Sequence, residues 1–187
     1  MSVIVRAATP GPPPLFLIGF MAAGKTTLGK AVARLTRRPF VDTDEFIESM
    51  ARMSIPEIFR RLGQDEFRRL ETLALASLAL RDDSPVIACG GGLPCREENR
   101  RIMLDAGTVV WLQAPAERLV ERLLLAPGTR PLVDGKSREE LGEYVAATMA
   151  ERSPAYSHAH HTFDSSRLES ADEIEHSAQL FIDSFCR

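Results

Sequence analysis

The chain has 187 residues, and none of its apolar runs approaches the roughly 18 residues that a membrane-crossing helix needs. The first fourteen residues also lack the apolar core of a secretory signal, because Arg6 interrupts their one apolar stretch and Pro10, Gly11, Pro12, Pro13 and Pro14 follow. Cysteine is scarce. Cys89, Cys95 and Cys186 make no disulfide framework, and their spacing fits no zinc pattern. Excess charge of one sign is missing too: 23 basic against 26 acidic residues leave a net charge of −3, with no electrostatic footprint for nucleic acid or an anionic membrane. Internal repeats are absent, and low complexity is confined to the proline-rich start. These absences point to a cytoplasmic globular protein whose partners are small molecules, with residues 1–14 as a flexible tail and 15–187 as a single domain.

What is present begins with Gly19-Phe20-Met21-Ala22-Ala23-Gly24-Lys25-Thr26, which reads G-x-x-x-x-G-K-[ST]. The apolar run Leu15-Phe16-Leu17-Ile18 precedes it and a helical pattern follows, which is the context a P-loop requires. Backbone N–H groups of such a loop turn inward around phosphate oxygens, and the next helix presents its positive dipole end to the same anion. Lys25 adds a charge for the β- and γ-phosphates, and Thr26 offers a hydroxyl to Mg²⁺. The motif specifies nucleotide binding and leaves the acceptor open.

Short β-like runs then alternate with longer helical ones. The strands are expected at 15–19, 39–41, 86–88, 109–112 and 161–163, and a first helix at about 25–36. Because the strands are nearly continuous in apolar character, a parallel sheet covered on both faces is predicted. Three helix starts carry capping-box spacing: Ser54 with Glu57, Ser137 with Glu140, and Ser170 with Glu173. The pattern after Ser54 breaks at Gly63 and resumes at Phe67, giving a helical insertion over about 43–80. Between Pro127 and Gly135 the chain is punctuated as a loop, read as a mobile lid spanning about 123–137.

Ligands of open α/β sheets gather outside the carboxyl ends of the strands. The second strand ends in Asp42-Thr43-Asp44, where alternation along an extended segment puts both carboxylates on one side. Beside a P-loop, one could bind Mg²⁺ through water and the other could accept a substrate hydroxyl; Asp42 could equally cap the following helix. The third strand ends in Gly90-Gly91-Gly92, where a ligand could lie against bare backbone. Arg68 stands three residues before Glu71, at ion-pair spacing. Arg152 sits near the end of the helix begun at Ser137, just before Pro154, and Arg130 lies in the punctuated loop. Cys89 is read as a packing residue, and His158, His160 and His161 as no metal site.

In their order, the P-loop through Thr27, Phe40-Val41-Asp42-Thr43-Asp44, Phe67-Arg68-Arg69-Leu70-Glu71, Gly90 to Gly92, Arg130-Pro131-Leu132 and Arg152-Ser153-Pro154-Ala155-Tyr156 resemble the shikimate kinase family. The resemblance implies a three-layer α/β/α P-loop fold with a five-stranded parallel sheet, a helical substrate-binding insertion and a lid loop. It implies transfer of the γ-phosphoryl of ATP to the 3-hydroxyl of shikimate, with Mg²⁺ held by Thr26 and Asp42. Lys25, Asp44 and Arg130 would be catalytic. Asp44 would grip shikimate hydroxyls, Arg68 and Arg152 its carboxylate, and Gly90, Gly91 and Gly92 would border the ring; Ile55, Phe59 and Phe67 would form an apolar wall. Glu71 would hold Arg68. ATP would contact Gly19, Ala22, Ala23, Gly24, Lys25, Thr26, Thr27 and Arg130, with Arg122 and the loop bearing Arg167 as walls for the adenine. Ala22 stands where many relatives carry glycine. A monomer is expected. A kinase of another hydroxy acid such as gluconate, or an ATP-binding protein without transfer activity, are the alternatives; the complete set Lys25, Asp42, Asp44 and Arg130 argues against the second.

Overall fold

A computed structural model of the chain describes residues 11–125 and 133–186. Five strands, β1 (Leu15–Ile18), β2 (Phe40–Asp42), β3 (Val86–Ala88), β4 (Thr108–Gln113) and β5 (His161–Asp164), form one sheet in the order β2-β3-β1-β4-β5. Every pairing is parallel, with Leu15 of the central strand opposite Val86 on one side and Thr108 on the other. All five predicted strands are present within a residue or two of their expected bounds.

The helices are α1 (Lys25–Thr36), α2 (Thr43–Ala51), α3 (Ile55–Ala79), α4 (Glu97–Ala106), α5 (Ala116–Leu124), α6 (Arg138–Tyr156) and α7 (Ala171–Phe185). Alternate side chains of β1 explain the layering. Leu15 and Leu17 join Leu28 and Val32 of α1 and Ala178 and Phe181 of α7. Phe16 and Ile18 pack on the other face with Leu75 and Leu78 of α3 and Met103 of α4. Each β1 side chain is at most 2% exposed, so both faces of the sheet are covered and a continuous apolar run is the sequence that fits. A third, smaller cluster of Ile47, Ile58, Phe67 and Ala74 gives the insertion formed by α2 and α3 a core of its own.

The capping boxes at Ser54, Ser137 and Ser170 are all formed. Within α3 the backbone at Gly63 leaves the helical region (φ 83°, ψ 174°), so two helical segments meet at a kink where the sequence pattern breaks. Two local expectations change. Thr43 already opens α2, so Asp44 stands in the first turn of a helix and not on an extended segment. Helix α6 runs past Pro154 to Tyr156, because a proline removes only one N–H and Ser157 still donates to the Ser153 carbonyl at 2.9 Å.

The described part of the expected tail, residues 11–14, is anchored: Arg38 donates to the Pro13 carbonyl at 2.7 Å and Thr108 to that of Pro14 at 2.9 Å. Residues 126–132, most of the expected lid and with them Arg130, lie outside the described residues, as do residues 1–10. Gly107 joins α4 to β4 against this anchor, and a Cβ there would sit 2.1 Å from the Pro14 carbonyl oxygen. Because that neighbour is backbone, Gly107→Ala is expected to lower unfolding free energy by about 1–3 kcal/mol, read as a shift in the urea midpoint at constant slope.

Candidate active site

The loop after β1 leads into α1 through Gly24, whose left-handed backbone (φ 89°) forms the helix N-cap. Lys25 folds over the loop and donates to the carbonyls of Gly19 and Phe20, both at 2.9 Å. Ala22 also takes the left-handed region, φ 62°. A side chain there is strained by about 1–2 kcal/mol relative to the right-handed form, which accounts for glycine as the commoner solution at such a position. The Ala22 carbonyl is tied down by Arg122, which donates to it at 3.2 Å.

Next to the loop, one Asp42 oxygen accepts from the Thr26 hydroxyl at 3.0 Å and the other from the Asp44 backbone N–H at 3.0 Å. The two readings of Asp42 therefore coexist: it caps α2 and faces the P-loop hydroxyl. Thr26 and Asp42 present two hard oxygen donors side by side, the protein share that Mg²⁺ takes when phosphates and water complete its octahedron. Among the described residues no group of three or more His, Cys, Asp or Glu could hold a metal by itself. His160 is occupied instead in accepting the Val109 N–H at 3.1 Å, and His161 in stacking on Phe185.

A cleft of about 480 Å³ opens between these groups, walled by Met21, Ala22 and Gly24 to Thr27 of the P-loop, Asp42, Asp44, Gly90, Gly91, Arg122, Leu168 and Glu169. Burial pushes the Asp44 carboxyl up to about 6, with the negative charge of Asp42 adding to the rise and Lys25 opposing it. A carboxylate of raised proton affinity is well suited to accept hydroxyl hydrogen bonds. A second cavity of about 480 Å³ lies at the ends of β4 and β5, between Trp111, Pro115 and Met149, but its walls are mainly apolar and it lacks the Lys25, Thr26 and Asp42 chemistry.

At the end of β3 three glycines meet three charged side chains. A Cβ on Gly90 would lie 2.7 Å from an Asp44 carboxylate oxygen, on Gly91 3.3 Å from Arg152 Nη1, and on Gly92 3.1 Å from Arg68 Nη1. Residues from β3, α2, α6 and α3 are thus brought to one strip of bare backbone. Arg68 is held by Glu71 at 2.6 Å, and the Glu71 side chain is only 3% exposed. Burial raises the Glu71 pKa, and Arg68 is the strongest pull in the opposite direction. An ion pair this close beneath the surface fixes the guanidinium while leaving its remaining N–H groups to face outward.

The glycine strip is itself pinned by residues to which the sequence assigned no task. Buried Thr43 accepts the Gly90 N–H at 2.8 Å, and buried Tyr156 donates to the Gly91 carbonyl at 2.6 Å. Asn99, fully buried, donates to Leu93 at 3.0 Å and accepts from Thr72 at 2.8 Å, holding the 3₁₀ turn Leu93–Cys95 that follows the glycines. Cys89 is buried and its thiol pKa is raised by that burial, as a packing residue requires. Phe59 and Phe67 pack with ring centres 4.6 Å apart and their planes tilted by 38°, but they divide their work: Phe67 is 6% exposed in the insertion core and Phe59 is 40% exposed. Arg122 and the loop after β5 are joined directly, since Arg122 donates to the carbonyls of Ser165 (2.9 Å) and Ser166 (3.2 Å). Arg167 is exposed, and its neighbours Leu168 and Glu169 line the cleft.

A P-loop beside paired oxygen donors, with a carboxylate and two guanidinium groups close by, is the arrangement of a P-loop phosphotransferase. The family model for shikimate kinase matches residues 21–183. Shikimate kinases of Parabacteroides distasonis and Phocaeicola vulgatus are 38% and 41% identical over 160 and 161 residues, covering 86% of this chain in both cases and 92% and 91% of theirs. The crystal structure of the Bacteroides thetaiotaomicron shikimate kinase superposes with a TM-score of 0.87 at 37% identity, covering 92% of this chain and 97% of that one. The Acinetobacter baumannii enzyme in complex with shikimate gives 0.77 at 31%, covering 94% and 93%. A gluconokinase from Sinorhizobium meliloti, at 19% identity and a TM-score of 0.57 over 92% of this chain and 93% of its own, shares the fold alone. The chain belongs to the shikimate kinase family.

The strain at Ala22 can be measured. Relief of the left-handed penalty, offset by the greater entropy of an unfolded glycine, predicts that Ala22→Gly stabilises the protein by about 0.5–1 kcal/mol. Thermal denaturation without nucleotide should show this as a rise of a few degrees.

Proposed function

We propose that this chain transfers the γ-phosphoryl group of ATP to the 3-hydroxyl of shikimate, yielding shikimate 3-phosphate and ADP in the pathway to chorismate and the aromatic amino acids. The observation that carries the reading is the convergence of Asp44, Arg152 and Arg68 on Gly90, Gly91 and Gly92 beside the P-loop cleft. Two guanidinium forks match a planar carboxylate in shape and charge, while a carboxylate accepts from neighbouring hydroxyls. A cyclic acid bearing both would lie flat on backbone that no Cβ interrupts.

Phosphoryl transfer asks mainly for positioning and for neutralisation of spreading negative charge. Backbone N–H groups from Gly19 to Thr27 cradle the phosphates, and Lys25 turns from the loop carbonyls to the β- and γ-oxygens. Mg²⁺ would be held by Thr26 and, through water, Asp42, and when bound it screens the phosphate charge. Asp44 orients the acceptor hydroxyl and is the nearest group to take its proton. Because the transition state is loose, the proton leaves late and orientation is the larger part of that role. Glu71 keeps Arg68 aimed. Phe59 supplies the exposed apolar contact, with Phe67 and Ile55 behind it. Arg122, with the loop bearing Arg167, walls the adenine, and Arg130, outside the described residues, brings the closing charge from the lid over about 123–137. The division into a tail over 1–14 and one domain over 15–187, with the insertion at 43–80 as the acceptor module, belongs to the same reading. No helix among the described residues is long and apolar enough to cross a membrane. A monomer working in the cytoplasm, without nucleic acid or membrane partners, fits the balanced charge.

A coupled ADP-release assay with Mg²⁺ is expected to show turnover with shikimate and none with gluconate. Turnover with gluconate alone, or ATP binding without any phosphorylated product, contradicts the proposal. Asp44→Asn and Arg152→Ala should each lower shikimate kcat/KM at least about tenfold and leave the ADP Kd within about twofold, since each lost charge-assisted bond removes about 1.5–3 kcal/mol from the acceptor side only.

A further inference from the structure

Glu169 follows β5 on the loop that borders the proposed nucleotide cleft and is one of the residues lining it. A carboxylate beside a polyphosphate site opposes the anion by simple repulsion. Its favourable contribution must therefore come through the groups it holds. One oxygen, Oε1, accepts from Arg122 Nη2 at 2.8 Å and from Arg122 Nε at 3.0 Å. The other, Oε2, accepts the Leu168 backbone N–H at 2.9 Å. Arg118 Nε stands 3.8 Å from Oε1 but is engaged by Glu121 at 2.9 Å through its Nη1.

Arg122 Nη1 donates to the Ala22 carbonyl, and the two N–H groups of Nη2 are shared between Glu169 and the carbonyls of Ser165 and Ser166. The N–H edge of this guanidinium is thus engaged on three sides by the P-loop, the β5–α7 loop and Glu169, and the side chain is only 13% exposed. What such a group can offer a ligand is its planar face, which stacks well on a flat heteroaromatic ring. Its three backbone acceptors are neutral carbonyls, so the carboxylate is the one ionic restraint that the described residues place on the plane of the ring-facing group. Because Leu168 is held by the same carboxylate and meets the P-loop at Gly24, the restraint fixes both sides of the nucleoside end of the cleft at once.

We infer that Glu169 is a positioning residue for the nucleoside part of ATP, acting by holding the Arg122 guanidinium and the Leu168 backbone in register across the P-loop. The inference rests on the proposed role of Arg122 at the adenine and adds to it the residue that makes this role possible. It separates the two halves of the nucleotide: the base loses its platform without Glu169, while the phosphates lose only a repelling charge.

Isothermal titration of the full chain with ADP, and separately with inorganic tripolyphosphate, tests this for Glu169→Gln. The ADP Kd should rise three- to tenfold, while the tripolyphosphate Kd stays the same or falls. In steady state the KM for ATP should rise by the same factor with kcat and the shikimate KM within twofold. Arg122→Lys is the companion variant, and the double variant should weaken ADP binding no more than the worse single change, because the two residues act as one unit. If Arg122→Lys leaves the ADP Kd unaltered, the placement of Arg122 at the nucleoside fails and the inference with it. If Arg122→Lys weakens ADP binding and Glu169→Gln does not, the inference alone is overturned. An equal loss for ADP and tripolyphosphate in Glu169→Gln would mean a general loosening of the P-loop and would also overturn it.

Discussion

Sterics govern the site: Gly90, Gly91 and Gly92 have no Cβ, and charged side-chain atoms stand 2.7, 3.3 and 3.1 Å from where such carbons would lie. Asp44, Arg152 and Arg68 come from three different helices, α2, α6 and α3, and each reaches this strip closely because the strand end is bare. Backbone this exposed would ordinarily be free to rearrange. Here Thr43 holds the first glycine, Tyr156 the second, and Asn99 the turn beyond the third, so the strip is both open and rigid. The close approach needs the glycines, and the rigidity needs the buried polar groups around them.

Electrostatics follow the same arrangement. The side proposed for the acceptor gathers guanidinium groups, one of them supported from beneath by a nearly buried glutamate, and the side proposed for the nucleotide gathers backbone dipoles, one ammonium and a hydroxyl–carboxylate pair. Asp44 lies where the two meet. Its raised proton affinity arises first from burial and then from Asp42, so its position between the two halves also sets its chemistry. The α2 helix begins where β2 ends with no intervening loop, which is why both aspartates reach the cleft although only one faces the P-loop hydroxyl.

Much of this could be read from the residues in order. The P-loop, the five apolar runs, the three capping boxes and the break at Gly63 are local signals, and each corresponds to a local structure. The signals that misled were also local. Alternation in Asp42-Thr43-Asp44 suggested an extended pair, but the Asp42 cap starts a helix at once and turns Asp44 by a helical step. Pro154 looked like a helix end, yet its missing N–H falls in the last turn, where one lost bond is tolerated. Phe67 was grouped with Phe59 through the family resemblance, although helical spacing pointed both to the core; burial places Phe67 there and leaves Phe59 exposed. The roles of Thr43, Tyr156 and Asn99 were not legible, because their partners are backbone groups of other elements and a backbone group leaves no trace in sequence. For the same reason the link between Arg122 and the carbonyls of Ser165, Ser166 and Ala22 emerged only from the fold, although Arg122 and that loop had been paired as the two walls of one site.

On the proposed function, bare backbone at the end of β3 lets the acceptor-binding charges converge without taking part in nucleotide binding. The most direct measurement is the pair of shikimate KM and ADP Kd for Gly90→Ala, whose added carbon must displace the Asp44 carboxylate. The account predicts loss of shikimate turnover, or a rise of tenfold or more in its KM, with ADP bound as before. A variant that turns over shikimate with an unaltered KM would contradict it.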